Sequence, residues 1–221
     1  MHKAPVYSLN LDSALTFIND DVIPNELRGQ TFRVSQVQTL LVNDFYFNHA
    51  LFPTFELSAD NGTKFWLSPF TFEQDDDEVK LRVTRDLTDN EVKALFQADT
   101  MMQMLSANAD ENNYFSIADN EVSNALKSWV SRTYYLDMKD QEIASSTYIQ
   151  YDMGNKKNIN YTMLLKKYSA AKYFLFLGDY NSFYLEVNFE NNPKVRATTI
   201  LHLSDIEHLE LATHQHETIL S

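Results

Sequence analysis

The feature that most constrains the fold is a repeated pattern of short apolar runs that alternate with polar residues and are separated by turns. Residues 31–42 are rich in β-branched side chains and alternate at Phe32 and Val34, and residues 79–84 alternate again. A period of two places every second side chain on one face of a strand. From Thr133 onward the chain consists mostly of such runs, at 132–138, 146–153, 158–168, 172–178, 182–189 and 194–203. We therefore predict a mainly antiparallel sheet.

Two hairpins stand out within this pattern. Asn61-Gly62 lies between the apolar runs 55–57 and 64–67, and Asn-Gly in that position is a strong hairpin signal. A second aromatic–turn–aromatic segment, 174–185, turns at Asp179. The likeness of the two predicts two similar β-lobes. The alternative is that any two amphipathic hairpins resemble one another to this degree.

Three segments have the period of a helix instead. Apolar residues recur at helical spacing in 11–19, 89–105 and 118–129, and Thr88 with Glu91 forms a capping box before the second segment. The predicted fold class is therefore α+β, with two or three helices beside the sheet. We expect an N-terminal lobe over 1–110 and a C-terminal lobe over 111–221, or one compact domain. Residues 204–211 fit either a short capped helix or an edge strand.

Charge and composition exclude several classes of function. The formal net charge is −13, with 18 basic against 31 acidic residues, so nucleic acid is a poor partner. The chain has no cysteine, which rules out disulfides and thiolate chemistry and suits a reducing compartment. No segment has the roughly 20 apolar residues that cross a bilayer, so we expect no membrane span and a cytoplasmic location. The four glycines do not cluster into a phosphate-binding loop.

A family resemblance rests on three segments of the N-terminal half. They are Gly29-Gln30-Thr31-Phe32-Arg33-Val34, Phe55-Glu56-Leu57 and Gly62-Thr63-Lys64-Phe65-Trp66-Leu67-Ser68. Together they resemble an uncharacterised bacterial β-domain family whose genes often lie beside phage-shock and membrane-stress genes. The resemblance covers about residues 29–85. It implies an accessory role and provides no catalytic residue.

Two groups of residues are candidates for metal binding. Imidazole and carboxylate ligands suit zinc, nickel or iron, and the C-terminal segment contains His202, His208, His214 and His216. Their spacing fits no established ligand motif, so solvated histidines are the alternative. The acidic run at 73–78 suits calcium in its oxygen content but lacks the EF-hand pattern, which favours a solvated loop. We expect no cofactor.

Aromatic residues give the best candidates for an interaction site. Phe45, Tyr46, Phe47 and Phe52 lie in a segment with loop character, and Trp66 follows in the next predicted strand. An apolar loop either folds inward or meets a partner. The alternative for the aromatic residues in general is cross-strand pairing within the sheet.

The function predicted from these observations is that of a non-enzymatic intracellular accessory protein, which acts through a protein partner or as a homo-oligomer. One alternative is a small-ligand binder with a pocket lined by tyrosines and by Trp66 or Trp129. Another is an acidic inhibitor that mimics nucleic acid. Enzymatic activity would require a metal-dependent hydrolase built on the C-terminal histidines.

Overall fold

The computed structural model describes most of the N-terminal half of the chain and separate segments of the C-terminal half. The described residues are 5–42, 50–71, 78–95, 114–117, 126–139, 147–150, 173–178, 183–188 and 194–212. They contain one α-helix, α1 (Asp89–Leu95). The strands are β1 (Ala14–Phe17), β2 (Thr31–Val42), β3 (Ala50–Ser58), β4 (Lys64–Thr71), β5 (Val79–Asp86), β6 (Tyr114–Ser116), β7 (Thr133–Lys139), β8 (Thr147–Gln150), β9 (Tyr173–Gly178), β10 (Phe183–Asn188), β11 (Lys194–His202) and β12 (Ile206–Glu210).

The strands belong to a single twelve-stranded antiparallel sheet. Its order is β12-β1-β2-β3-β4-β5-β11-β10-β9-β7-β6, and β8 pairs with β2 outside that order. The chain passes from β11 to β12 through one 3-10 turn, Leu203–Asp205. Because β11 pairs with β5 and β12 pairs with β1, this turn joins the two ends of the β1–β5 meander. Strands β1 to β5, with β11 and β12, therefore curl around a common interior.

The predicted α+β class is wrong, because the described residues are mostly β and contain only one α-helix. Residues 11–19 form a turn followed by β1 instead of a helix, and Leu15 pairs with Phe32 of β2. Burial of alternate residues, Leu15 and Phe17, shows that sheet pairing overrode the helical spacing. The two aromatic hairpins belong to one sheet.

The other predicted helices are only partly within the described residues. Residues 89–95 are helical as predicted, and 96–105 lie outside the described residues. Of the segment 118–129, the part 126–129 is a turn, and 118–125 lies outside the description. Residues 206–210 form an edge strand, which was one of the two predicted alternatives.

Most predicted strands are confirmed. The hairpin around Asn61-Gly62 and the strands predicted at 31–42, 79–84, 132–138, 172–178, 182–189 and 194–203 are all present, with small shifts of their ends. The segment 146–153 contains β8, while 158–168 lies outside the described residues. The boundary between 1–110 and 111–221 stays a prediction, although the pairing of β5 with β11 crosses it.

The interior of the curled sheet is filled by the alternate apolar residues of its strands. A chain of aromatic contacts crosses this core, with ring centroids 5.9 Å apart for Phe17–Phe32, 5.4 Å for Phe32–Phe65 and 5.5 Å for Phe65–Trp129. Burial of each such side chain stabilises the fold by about 1.5–3 kcal/mol. Other fully or almost fully buried members include Leu15, Val34, Phe55, Leu57, Leu67, Leu81, Val83 and Leu201.

Candidate interaction surface on the β2–β3 arm

The outer ends of β2 and β3 stay paired with each other beyond the point where the β3–β4 ladder ends. The β3–β4 ladder runs from the hairpin turn to Phe55 and stops there, whereas β2 and β3 stay paired as far as Ala50. One residue beyond the end of that ladder, the hydroxyls of Thr54 in β3 and Ser68 in β4 lie 2.8 Å apart. We call residues 38–42 of β2 and 50–54 of β3 the arm.

Two prolines explain where the arm begins. At the hairpin turn the backbone nitrogen of Ala59 donates to the Thr63 carbonyl at 2.9 Å. Alternate residues of an antiparallel strand direct their N–H and C=O groups to the same neighbour. Counting back from Ala59 in steps of two, the backbone groups of Phe55 and Pro53 also face β4. Extending the register two residues beyond Phe55 sets Pro53 opposite Pro69. Neither proline has an N–H group, so both hydrogen bonds of that pair are lost.

The same geometry leaves the neighbouring ladders intact. The backbone N and C=O positions of Pro69 face β3, so Pro69 takes no part in the hydrogen bonds between β4 and β5. The β4–β5 ladder therefore continues past Pro69 to Thr71. Pro53 likewise does not interrupt the pairing of β3 with β2. The paired prolines thus separate β3 from β4 alone.

The arm has an unusual composition for a protein of net charge −13. It contains no charged residue, and beyond Thr39 and before Thr54 every position is apolar. The cross-strand pairs are Leu40↔Phe52, Leu41↔Leu51 and Val42↔Ala50. Both alternating sets of positions are therefore apolar, a pattern typical of strands that are covered on both faces.

The arm has one paired side and one open side. β8 pairs with residues 38–41 of β2, so β2 is the central strand of three and β3 is the outer one. Leu51 lies two residues from Pro53 and therefore directs its N–H and C=O away from β2. In the described part of the chain no strand pairs with Leu51 on that side. An unpaired edge without charges can accept a further strand.

Of the five predicted interaction residues, the structure describes Phe52 and Trp66, and these two lie in different places. Phe52 lies in the arm, opposite Leu40. Phe45, Tyr46 and Phe47 belong to the segment that joins the two strands of the arm, and they lie outside the described residues. Trp66 is not in the arm.

Trp66 lies in the middle of β4, on the face turned away from the core. It pairs with Glu56 of β3 and Thr84 of β5, and its side chain is half-buried. The Thr84 hydroxyl makes a buried hydrogen bond of 2.7 Å with that of Thr198 in β11. Trp66 therefore lies beside the Thr84–Thr198 hydroxyl pair and outside the arm.

The structure describes only two of the four histidines that were predicted as metal ligands. His202 at the end of β11 lies 2.9 Å from the Glu78 carboxylate through Nδ1, and both side chains are more than half exposed. His208 is exposed in β12, and His214 and His216 lie outside the described residues. Among the residues that the structure does describe, no three histidine or acidic side chains come together as a metal site. The acidic run 73–78 is described only at Glu78.

Sequence reasoning missed a partly buried ionic cluster around Arg85. The Arg85 guanidinium lies 2.7 Å from Glu91 and 3.9 Å from Glu26, and it stands over the Trp129 ring at 5.2 Å. The indole nitrogen of Trp129 donates to Glu26 at 3.1 Å. The cluster holds the loop before β2, the end of β5, the start of α1 and the 126–129 turn to one another. Its carboxylates are already occupied by these bonds, which favours a structural role.

Glu91 connects this cluster to the capping box that the sequence predicted. Its carboxylate accepts from the backbone nitrogen of Thr88 at 2.8 Å, and the Glu91 nitrogen donates to the Thr88 hydroxyl at 3.3 Å. Partial burial acts to raise the pKa of Glu91, but the hydrogen bonds from Thr88 and Arg85 and the charge of Arg85 lower it further than burial raises it. The net effect is a lowered pKa.

Trp129, one of the two tryptophans predicted to line a ligand pocket, is fully buried. Its ring stacks on Phe65 with an interplanar angle of 4°. This packing makes Trp129 part of the core.

No protein-family model, curated protein or solved structure matches this chain. The likeness to a bacterial β-domain family thus stays a prediction. In the described ranges, no helix combines the length and the apolar character that crossing a membrane requires.

Proposed function

We propose that the protein is a non-enzymatic intracellular accessory protein that acts through protein–protein contacts made by the arm. The observation that carries this proposal is the uncharged ribbon, apolar on both faces, that Pro53 and Pro69 separate from β4. Apolar surface of this kind gains free energy when a partner covers it, at about 25 cal/mol for each Å² removed from water. The absence of cysteine supports a reducing, cytoplasmic location.

The edge of β3 supplies a specific way to bind. Leu51 offers one N–H and one C=O to an incoming strand, and Pro53 limits that pairing to a short stretch. Main-chain hydrogen bonds at a sheet edge provide affinity, while the flanking side chains provide specificity. Phe45, Tyr46 and Phe47 lie between β2 and β3 in the sequence, and we propose that they add to the apolar contact. The partner is a second copy of the chain or another protein.

The rest of the described structure supports binding over catalysis. Among the described titratable residues, Glu26 and Glu91 both pair with Arg85, and Glu26 also accepts a hydrogen bond from Trp129. These residues stabilise the fold, so we take the arm as the candidate binding surface among the described residues.

The proposal is tested by placing a charge on the edge of β3. We expect Leu51→Lys to weaken the contact by more than about tenfold, because an unpaired ammonium buried in an interface costs several kcal/mol. The matched control is Asn90→Lys, which adds the same charge at an exposed position of α1. Sedimentation velocity over a range of concentrations measures self-association, and affinity purification compares the proteins retained by each variant.

The expected result is that wild type and Asn90→Lys form the same complexes and that Leu51→Lys does not. A wild-type protein that stays monomeric and retains no partner would contradict the proposal. Equal binding by Leu51→Lys and wild type would show that the arm is not the contact surface.

A further inference from the structure

We propose that Asn61 is a site of spontaneous deamidation, in which the backbone nitrogen of Gly62 attacks the Asn61 side-chain amide. Asn61-Gly62 is the only Asn-Gly pair in the 221 residues. The pair lies at the tip of the β3–β4 hairpin, and both residues are exposed. This turn is at the opposite end of β3 from the arm, so the inference is independent of the proposed function.

The reaction needs only water and hydroxide. The Gly62 amide nitrogen gives up its proton to hydroxide and forms a bond to Cγ of Asn61. The bond from Cγ to Nδ2 breaks, and Nδ2 leaves as ammonia after taking a proton from water. Water then opens the resulting cyclic imide at either carbonyl, which yields aspartate or, if the backbone is rerouted through the side chain, isoaspartate. The sum is one water gained and one ammonia lost.

Three features of the turn favour this attack. Gly62 has no side chain to shield its nitrogen, and nothing lies within 4 Å of the position where a Cβ would stand. The Asn61 Oδ1 accepts a hydrogen bond from the backbone nitrogen of Thr63 at 2.9 Å. This bond holds the Asn61 side chain against its own backbone. It also withdraws electron density from Cγ, which makes Cγ a better electrophile.

One feature opposes the reaction. The Gly62 nitrogen donates to the Ala59 carbonyl at 2.9 Å, and its proton is held while that bond is closed. Attack therefore proceeds from turns in which this bond has opened. Opening costs little at an exposed hairpin tip compared with global unfolding. The rate is expected to rise with pH, because hydroxide removes the proton.

Deamidation changes the hairpin in two ways. Isoaspartate inserts an additional methylene into the backbone, which breaks the loop pattern that Gly62 adopts with φ +83°. Either product adds a negative charge beside Asp60. The hairpin is expected to fray at Ala59 and Thr63 while the pairs nearer Phe55 persist.

The test uses the full-length folded protein, incubated at neutral and mildly alkaline pH in water enriched in heavy oxygen. Mass spectrometry of proteolytic fragments locates the label, which enters only at residues hydrolysed during the incubation. The expected result is labelled aspartate and isoaspartate at position 61 before any conversion of Asn25 or Asn90, which are also exposed but precede glutamates. Conversion should be faster at the higher pH.

An Asn61→Ser variant should show no product at the turn, and a Gly62→Ala variant should convert more slowly than wild type. A parallel sample unfolded in urea separates the intrinsic reactivity of the Asn-Gly pair from the effect of the folded turn on it. Conversion in urea without conversion in the folded protein would overturn the proposal, because the Ala59 bond would then protect the site. Aspartate without isoaspartate would overturn it as well, since direct hydrolysis does not pass through the imide.

Discussion

The two tryptophans of the chain provide a matched pair of substitutions with opposite expected outcomes. Trp129 is fully buried, whereas Trp66 is half-buried on the outer face of β4. Replacing each with phenylalanine removes the same atoms from different environments. We expect Trp129→Phe to destabilise the protein strongly and Trp66→Phe to have a small effect.

The magnitude follows from the contacts of each ring. Trp129→Phe deletes the 3.1 Å hydrogen bond to the Glu26 carboxylate. A bond to a charged group is worth about 1.5–3 kcal/mol, and the lower end applies because Glu26 is partly exposed. The smaller ring also weakens the contact with Arg85, by about 0.5 kcal/mol, and leaves unfilled volume against Phe65. The total loss in the free energy of unfolding is about 2–3 kcal/mol.

Trp66 makes no comparable contacts. No described residue accepts a hydrogen bond from its indole nitrogen, and its ring lies outside the core cluster. We expect Trp66→Phe to cost less than about 1 kcal/mol. Urea unfolding followed by circular dichroism measures both variants without relying on tryptophan fluorescence. A larger loss for Trp66→Phe than for Trp129→Phe would refute the packing described above.

Three further predictions concern the sheet and its ionic cluster. Gly178→Ala should cost about 1–3 kcal/mol in unfolding experiments, because the new Cβ would lie 2.6 Å from Cβ of Ser131; a neutral substitution would contradict that close approach. The lowered pKa of Glu91 means that its carboxylate stabilises the fold above its unfolded-state pKa and that this contribution is lost as the pH falls through its folded-state pKa. The free energy of unfolding of wild type should therefore exceed that of Glu91→Gln by about 1 kcal/mol at neutral pH and by less in acid. A difference in urea stability that widens in acid would be inconsistent with this. Replacing Pro53 and Pro69 together with valine should supply the two missing ladder hydrogen bonds, so the two new amide hydrogens should exchange slowly; fast exchange of these amides would show that the prolines do not set the start of the arm.

The sequence predicted local structure better than long-range structure. Alternation located β2 and β5, and Asn61-Gly62 located the β3–β4 hairpin, because each signal lies within a few neighbouring residues. The capping box of Thr88 and Glu91 located the start of α1 for the same reason. Residues 11–19 misled the prediction, since a segment this short fits helical spacing until its pairing partner is known.

The site depends on register, which a single sequence does not show. Pro53 and Pro69 are both visible in the sequence, but their opposition follows only once the turn at Gly62 fixes the β3–β4 pairing. The contact between Glu26 and Trp129 joins residues 103 positions apart, so no local pattern indicates it. Of the predicted interaction residues 45–52, the structure places Phe52 in the arm, and their role in an interaction stays a prediction.

A photo-crosslinking residue at position 51 probes most directly whether the edge of β3 touches another chain. When the protein is expressed in cells, we expect a discrete crosslinked product from position 51, and none when the crosslinker stands at the exposed position 90 of α1. Position 51 yielding no product, or both positions yielding the same products, would contradict it.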